Sequence, residues 1–303
     1  MKKKYELFFI ILNYNDYENT IKAANNIKEN IELNNYGILI VDNNSINDSY
    51  NIILKNFNNE EDIFIIKNKV NNGYSGGNNF GAKYIDNRFP NTKFIAITNP
   101  DVRFHEKNKL KYLLDKFNSD ENLASISPIH LLNNKFKSEL LAWKIPKNFD
   151  DFFLNFAILS KFINNTKYKD YKIESNKISY VEVLPGSFFI IKKDIFKEVN
   201  YFDENTFLYC EERILAKKLK NKGYKQAIDF DNFFIHDHST QKRNLFYKIR
   251  HYNYLLKSRI YFNKKYNNLY GKITILLLLI FYPLKIFEII LVHLIKKVIK
   301  WNP

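Results

Sequence analysis

Four short apolar runs, each followed by a polar cluster, constrain this chain more than any other feature. Leu7 to Leu12 breaks at Asn13-Tyr14-Asn15-Asp16, and Gly37 to Val41 at Asp42-Asn43-Asn44-Ser45. Ile63 to Ile66 precedes the glycine-rich stretch Asn71 to Gly81, and Phe94 to Ile97 leads into Asn99-Pro100-Asp101. Short apolar runs bounded by turn residues read as buried strands. Helices fit between them: Tyr17 to about Glu32, a second capped by Asp48 or Ser49 and reaching Phe57, and a third from the glycines through Tyr84. Strands alternating with helices imply parallel crossovers, hence an α/β fold with a doubly wound, mostly parallel sheet and helices on both faces. The polar clusters then converge on the rim at the strands' carboxyl ends, where such sheets bind ligands.

Further along, the pattern predicts a helix over Lys107 to Phe117 and a short strand over Leu123 to Ser127. Residues from about 133 to 178 have weak periodicity and many aromatics, and read as an insertion that shapes an acceptor site. Tyr180 to Ile191 is apolar but interrupted by Pro185-Gly186-Ser187. A helix runs from Glu211 to Lys222 and stops at Gly223. A last strand, Ala227 to Ile235, leads into His236-Asp237-His238-Ser239.

At 303 residues, 46% hydrophobic and 17% aromatic, the chain can bury a sizeable core, which excludes wholesale disorder. Its net charge of +15 calls for an anionic partner: nucleic acid, an acidic membrane face or a phosphorylated substrate. The single cysteine, Cys210, allows no intrachain disulfide and fits a reducing compartment. Leu7 to Leu12 is too short for a signal peptide, so the catalytic part is expected in the cytosol.

Several side chains on the rim have two readings each. Asp101, held by Pro100, is placed to hold a divalent metal on a diphosphate, or it is a solvated turn residue. Asp42 could accept hydrogen bonds from a ribose or a base, or could close its own loop. Gly73, Gly76 and Gly77 would let backbone approach a ligand at a helix N-terminus, or form a plain turn. Four of the eight glycines fall within nine residues, which favours the ligand. The stretch is neither a Walker A loop nor a dinucleotide fingerprint. Glu211 and Glu212 are favoured at a helix start in any case, yet the aromatic approach through Phe207 and Tyr209 would desolvate one of them toward a useful base. His236 is either structural or a further metal ligand.

Taken together these motifs resemble glycosyltransferase family 2, of GT-A fold, and within it the bacterial rhamnosyltransferase-like branch. The resemblance covers about residues 6 to 240. It rests on Ile11 to Asn15, Val41 to Ser45, Asn72 to Gly81, Asn99-Pro100-Asp101, Pro185-Gly186-Ser187-Phe188, and Phe202-Asp203 through Glu212. By resemblance, Asn13, Tyr14, Asn15, Asp42, Asn44, Asn72, Gly73, Gly76, Gly77, Asn78, Asn99 and Gly186 line a nucleotide-sugar pocket. Asp101 stands in the family's Asp-x-Asp metal motif, and His236 matches a histidine that in some relatives reaches the metal or diphosphate. Glu212 stands at the second acid, the base, with Glu211 kept as a possible base because Glu212 is one methylene longer than the family's Asp. Asn99 replaces an acid, and Ile214 stands where many relatives carry a further Asp. The implied reaction is inverting transfer from a nucleoside-diphosphate sugar, assisted by Mg²⁺ or Mn²⁺, in bacterial surface polysaccharide synthesis. The expected organisation is a GT-A domain over 1–240, with a nucleotide half to about 103 and an acceptor half from about 104, then a basic tail over 241–303.

That tail has no Asp or Glu from His238 through Phe287, but many Lys, Arg and aromatic residues. Ile273 to Leu284 is almost purely apolar, and Lys285, Glu288, His293, Lys296, Lys297 and Lys300 share one broad face of a helix over 273–300. The expectation is an interfacial helix on an anionic cytoplasmic leaflet, where a glycan or polyprenyl-linked acceptor would lie, making the protein peripheral at the inner face of the cell membrane. The alternative is a homodimer interface. A sugar nucleotidyltransferase would need a basic glycine-rich loop after the first strand, and Asn13-Tyr14-Asn15-Asp16 has neither glycine nor base. A nucleic-acid-binding protein explains the charge but leaves Asp42, the glycines and Asp101 without purpose, so no nucleic-acid partner is expected.

Overall fold

The computed structural model of the chain describes residues 4–105, 110–163, 166–237 and 244–299. The four apolar runs form β1 (Leu7–Asn13), β2 (Tyr36–Asp42), β3 (Ile63–Lys67) and β4 (Phe94–Thr98). Between them lie α1 (Tyr17–Asn30), α2 (Ser49–Asn56) and α3 (Gly73–Arg88). β1 pairs in parallel with β2 on one side and β4 on the other, and β3 pairs in parallel with β2. The order β3-β2-β1-β4 puts a topological switch point between β1 and β4, which is where open α/β sheets bind ligands.

Beyond β4 the chain adds β5 (Val102–Arg103), α4 (Leu110–Lys116), β6 (Leu123–Leu132), β7 (Lys135–Phe136), α5 (Asp150–Phe153), β8 (Ile178–Val181), β9 (Phe188–Lys192), α6 (Lys193–Glu198), α7 (Glu211–Asn221) and β10 (Lys225–His236). Among the described residues the sheet runs β3-β2-β1-β4-β9-β6-β10-β5. β9 is reversed between β4 and β6, β6 and β10 are parallel, and β5 and β8 pair antiparallel with β10. The fold is therefore mixed α/β with a central, mostly parallel sheet, as expected.

Alternation along β1 explains the two helical layers. Leu7, Phe9 and Ile11 pack with Ala23, Ala24 and Ile27 of α1, Ile53 of α2 and Leu113 of α4. Phe8 and Ile10 pack on the other face with Ala82 and Ile85 of α3, Phe196 of α6 and Leu215 of α7. A strand covered on both faces must be apolar at every position, which is why β1 reads as a continuous run.

Two expectations need correction, and a third lies partly outside the described residues. The strand foreseen over Leu123 to Ser127 continues to Leu132, because Ile129 to Leu132 pair in parallel with Phe233 to His236 of β10. The helix foreseen over Lys107 to Phe117 is described from Leu110, since 107–109 lie outside the described residues. The single helix foreseen over 273–300 is two: α9 (Asn268–Ile280) and α10 (Tyr282–Ile299), bent by 54° across Phe281. Pro283 has no N–H to carry the helical ladder across the junction.

The chain divides into two compact units. One holds Met1–Ile145, Lys167–Glu204 and Glu211–Ser239; the other holds Pro146–Thr166, Asn205–Cys210 and Thr240–Pro303. In the second, α8 (Leu245–Tyr266) carries a buried polar anchor. Asn263 Nδ2 donates to Asp151 at 2.6 Å, Arg259 Nε lies 3.4 Å from the same carboxylate, and Arg259 Nη1 donates to Asn155 at 2.9 Å. These bonds fasten α5 and its neighbours to α8. Gly271 lets α9 approach α8 closely, since a Cβ there would fall 2.0 Å from the Asn263 carbonyl oxygen.

Candidate active site

At the rim the strand ends are knitted together by side chains. Asn13 and Asp42 are register partners, and Asn13 Nδ2 donates to Asp42 Oδ2 at 2.7 Å and to Ser45 Oγ at 3.1 Å. The Ser45 N–H donates to Asp42 Oδ1 at 3.0 Å. Of the two roles open for Asp42, closing the loop is the one directly visible: it is wholly buried and both oxygens are engaged. Asn15 and Asn44 take left-handed backbone, at φ 58° and 60°, a conformation asparagine tolerates better than most residues. Asn15 Oδ1 accepts from the Ile46 N–H at 2.9 Å, tying the first polar loop to the second, while Tyr14 projects outward.

The glycine stretch opens α3. Gly73 has φ 72°, and its N–H donates to Asn71 Oδ1 at 2.9 Å. Asn72 is the exposed N-cap residue. A Cβ on Gly77 would fall 2.4 Å from Leu12 Cδ1, and one on Gly81 2.9 Å from Val41 Cγ2. A Cβ on Gly76 would fall 2.4 Å from Asn72 Cβ. The concentration of glycine thus has a packing cause, the close approach of α3 to β1 and β2, beside any role toward a ligand. Asn78 is buried, donates to the Tyr74 carbonyl at 3.0 Å, and leaves Oδ1 without a partner among the described residues.

Asn99-Pro100-Asp101 leaves β4 and turns into β5, with the Val102 N–H donating to the Asn99 carbonyl at 3.2 Å. β5 pairs with the end of β10, and that pairing brings His236 to the motif. His236 Nε2 lies 3.2 Å from Asp101 Oδ1, and the Asp237 N–H donates to the Asp101 carbonyl at 2.9 Å. Two adjacent ligands of an octahedral Mg²⁺ or Mn²⁺, each about 2.1 Å away, stand about 3 Å apart, so the pair fits an open site completed by a ligand's oxygens. Among the described residues no group of three or more His, Cys, Asp or Glu forms a closed cage. Arg103, which carries no motif, belongs here too. Its Nη1 donates to the Pro100 carbonyl at 2.7 Å. Burial lowers its pKa against the opposing pull of Asp237, Asp101 and Asp16. A base two residues beyond Asp101 was the one sequence signal for it.

The two acids open α7. Gly186 is buried against Glu212: a Cβ there would fall 2.7 Å from Glu212 Oε1 and 3.2 Å from the Tyr74 hydroxyl oxygen. The Gly186 N–H donates to the Glu212 carboxylate, and Tyr74 donates its hydroxyl to the Gly186 carbonyl at 2.6 Å. Tyr74, which lies between the glycines of that stretch, is thereby part of the acid site. Glu211 is buried, with Oε2 unpartnered among the described residues. Desolvation, then the neighbouring Glu212, push the Glu211 pKa well above the ordinary range. Glu212 is raised by desolvation but steadied by N–H donors and Arg213. One backbone bond joins the acid site to the Asp101 motif: the Asn99 N–H donates to the Ser187 carbonyl at 2.8 Å.

A carboxyl whose folded pKa is raised binds its proton more tightly in the folded state, so stability falls as pH climbs from about 4.5 toward the raised value. Glu211→Gln removes that penalty. The variant is expected to unfold like the native protein below pH 4, and to be more stable at pH 7–8 by on the order of 1 kcal/mol. Denaturant midpoints across that pH range check it; a variant destabilised at neutral pH would contradict it.

Known proteins resemble this chain in sequence and in fold. Residues 8–200 match the family described as Glycosyl transferase family 2. Rhamnosyltransferase WbbL of Escherichia coli K12 is 26% identical over 207 residues, 65% of this chain and 75% of that protein. The low-salt glycan biosynthesis hexosyltransferase Agl10 of Haloferax volcanii is 24% identical over 228 residues, 74% of this chain and 66% of that protein. Among solved structures, GalNAc-T7 with UDP, GalNAc and Mn²⁺ superposes with TM-score 0.66 at 10% identity. That match covers 89% of this chain and 49% of GalNAc-T7, so the chain spans about half its length. The mannosyltransferase PcManGT of Pyrobaculum calidifontis, in complex with GDP-Man and Mn²⁺, gives TM-score 0.54 at 14% identity, over 85% and 64% of the two chains. These superpositions share the GT-A architecture. With the family matched over most of the sheet and its rim, the chain belongs to glycosyl transferase family 2 and is a glycosyltransferase.

Proposed function

We propose that this enzyme transfers a hexosyl or deoxyhexosyl group, with inversion, from a nucleoside-diphosphate sugar to a glycan or polyprenyl-linked acceptor in bacterial surface polysaccharide synthesis. The observation that carries the reading is the join between two acid sites: Asp101 beside His236 at 3.2 Å, and Glu212 against Gly186, linked through the Asn99–Ser187 bond. The nucleotide lies along the rim formed by Asn13, Asn15, Asn44 and Asn72, with Asp42 holding the floor. Asp101 and His236 hold Mg²⁺ or Mn²⁺, which supplies Lewis-acid stabilisation of the diphosphate when bound. Solved relatives in fold that carry Mn²⁺ support a divalent metal. The names of the two sequence relatives, a rhamnosyltransferase and a hexosyltransferase, support the sugar class.

Glu212 is the better base of the two acids. A base must be ionised, and Glu211 is the more strongly held in its protonated form. The Glu212 carboxylate takes the acceptor hydroxyl proton as that oxygen attacks the anomeric carbon. The bond to the diphosphate oxygen breaks on the opposite face, and the nucleoside diphosphate leaves with the electron pair. Hydrolysis assays across a panel of UDP-, GDP- and dTDP-sugars with Mn²⁺ test the reading. Hydrolysis of one donor class that stops on chelation is expected; no hydrolysis or binding of any would count against it.

A further inference from the structure

Lys285, Glu288 and His293 of α10 turn toward their own unit, leaving an apolar face outside. Lys285 Nζ lies 3.1 Å from Glu288, and Glu288 Oε1 also accepts from the Ala157 N–H at 3.2 Å. His293 Nδ1 is 2.9 Å from Lys248 Nζ on α8. Leu278, buried, packs with Tyr252 and Leu256 of α8. On the opposite side Leu276, Ile280, Leu284, Phe287, Leu291 and Leu294 are all exposed, Phe287 by 60%. Their steps of three and four residues make one stripe across both helices. An apolar stripe of this length on two consecutive helices marks an interaction surface.

Charge decides what covers it. From Asn244 to Ile299 there are ten Lys or Arg and a single acid, Glu288, which is already paired. Lys272 near the start of α9 and Lys296 and Lys297 near the end of α10 are exposed, bracketing the stripe. Such a rim repels a second copy of itself and attracts anionic headgroups. Packing decides how it is covered. α9 has 13 residues and α10 has 18, about 20 Å and 27 Å, so the pair bent by 54° has the length and composition of a broken span, and what opposes a crossing is the helix packed against it. Among the described residues no single helix is long and apolar enough to cross a bilayer core of about 30 Å. Their inner faces are also covered by α8, whose Arg250, Lys257, Lys264 and Lys265 are exposed and would be dragged into the lipid by a span.

We propose that α9 and α10 form a bent, monotopic insertion surface that enters one leaflet of an anionic bilayer without crossing it. Lys285, Glu288 and His293 are satisfied inside the unit, and Lys272, Lys296 and Lys297 stand toward the two ends, so the side chains along the stripe that meet the acyl chains are apolar.

Full-length protein is mixed with vesicles of phosphatidylcholine alone, or of phosphatidylcholine with phosphatidylglycerol, and floated on a density gradient. Binding is expected to be about tenfold stronger on the anionic vesicles at low salt, with the difference shrinking as salt rises. Phe287→Glu on the exposed stripe should weaken flotation about tenfold or more, with an unchanged unfolding midpoint. A fluorophore on Leu291→Cys should be quenched by nitroxide lipid in the outer leaflet and not by lipid labelled only in the inner one. Three results would overturn the proposal: inner-leaflet quenching, equal binding to both vesicles at all salt concentrations, or no flotation together with a dimer that Phe287→Glu dissociates.

Discussion

Glu212→Gln is expected to lower kcat by about 10³-fold while donor affinity stays within a factor of two or three. The substituted amide keeps the volume of the side chain and can still accept the Gly186 N–H, so the packing against Gly186 and Tyr74 survives. It cannot take a proton from the acceptor. The native enzyme should show a kcat that rises with pH through the Glu212 pKa, which burial places above the ordinary 4.5. That acid limb should vanish in the variant. Rates measured at saturating donor and acceptor across pH 5–9 check both parts. If Glu211→Gln is the dead variant and Glu212→Gln is not, the proton passes to the more deeply buried acid instead.

Asp101→Ala is the second large effect. Asp101 is half-buried on a turn whose shape is kept by backbone bonds, the Asp237 N–H to the Asp101 carbonyl and the Val102 N–H to the Asn99 carbonyl. Removing the carboxylate should therefore leave the fold within about 1 kcal/mol of native stability. It should weaken donor binding in Mn²⁺ at least about 100-fold, because a lone imidazole is left to hold the ion. Titration calorimetry with the donor found in the hydrolysis panel measures this. Unchanged affinity in the presence of Mn²⁺ would remove Asp101 from the metal site.

β1, β2 and β4 were legible because each is buried on both faces, so burial wrote itself into consecutive positions from Leu7 to Ile11 and from Phe94 to Ile97, while β3, half-buried at the sheet edge, was legible from its four apolar residues Ile63 to Ile66. β6 was read short because its later half alternates Ser127, Pro128 and His130 with apolar residues, and its pairing with β10 is broken by an irregularity between Asp229 and Phe233. The motifs of the rim were legible as residue types, but not their geometry. His236 meets Asp101 only because β5 pairs with β10, a long-range register no local pattern announces. Tyr74 escaped notice for the same reason, since it acts through the Gly186 carbonyl, 112 residues away, whereas Arg103 bonds locally to the Pro100 carbonyl and meets the site only through the turn they share. In the tail, composition showed an apolar, basic segment. Which side faced the protein depended on Asn148, Asp151, Asn155 and Ala157, residues more than a hundred positions upstream that bond to α8, α9 and α10. Nothing in the weakly periodic stretch from 133 to 178 signals that partnership.

Mn²⁺ electron paramagnetic resonance tests the proposed site most directly, since free Mn²⁺ gives a strong signal that binding suppresses. Full-length protein, held with Mn²⁺, is titrated separately with UDP, GDP and dTDP. The signal should stay high with protein alone, fall when one matching nucleotide is added, fall less in His236→Ala, and stay high in Asp101→Ala. Equal suppression by the native protein and by Asp101→Ala, with the same nucleotide, would contradict a metal-held diphosphate at this rim.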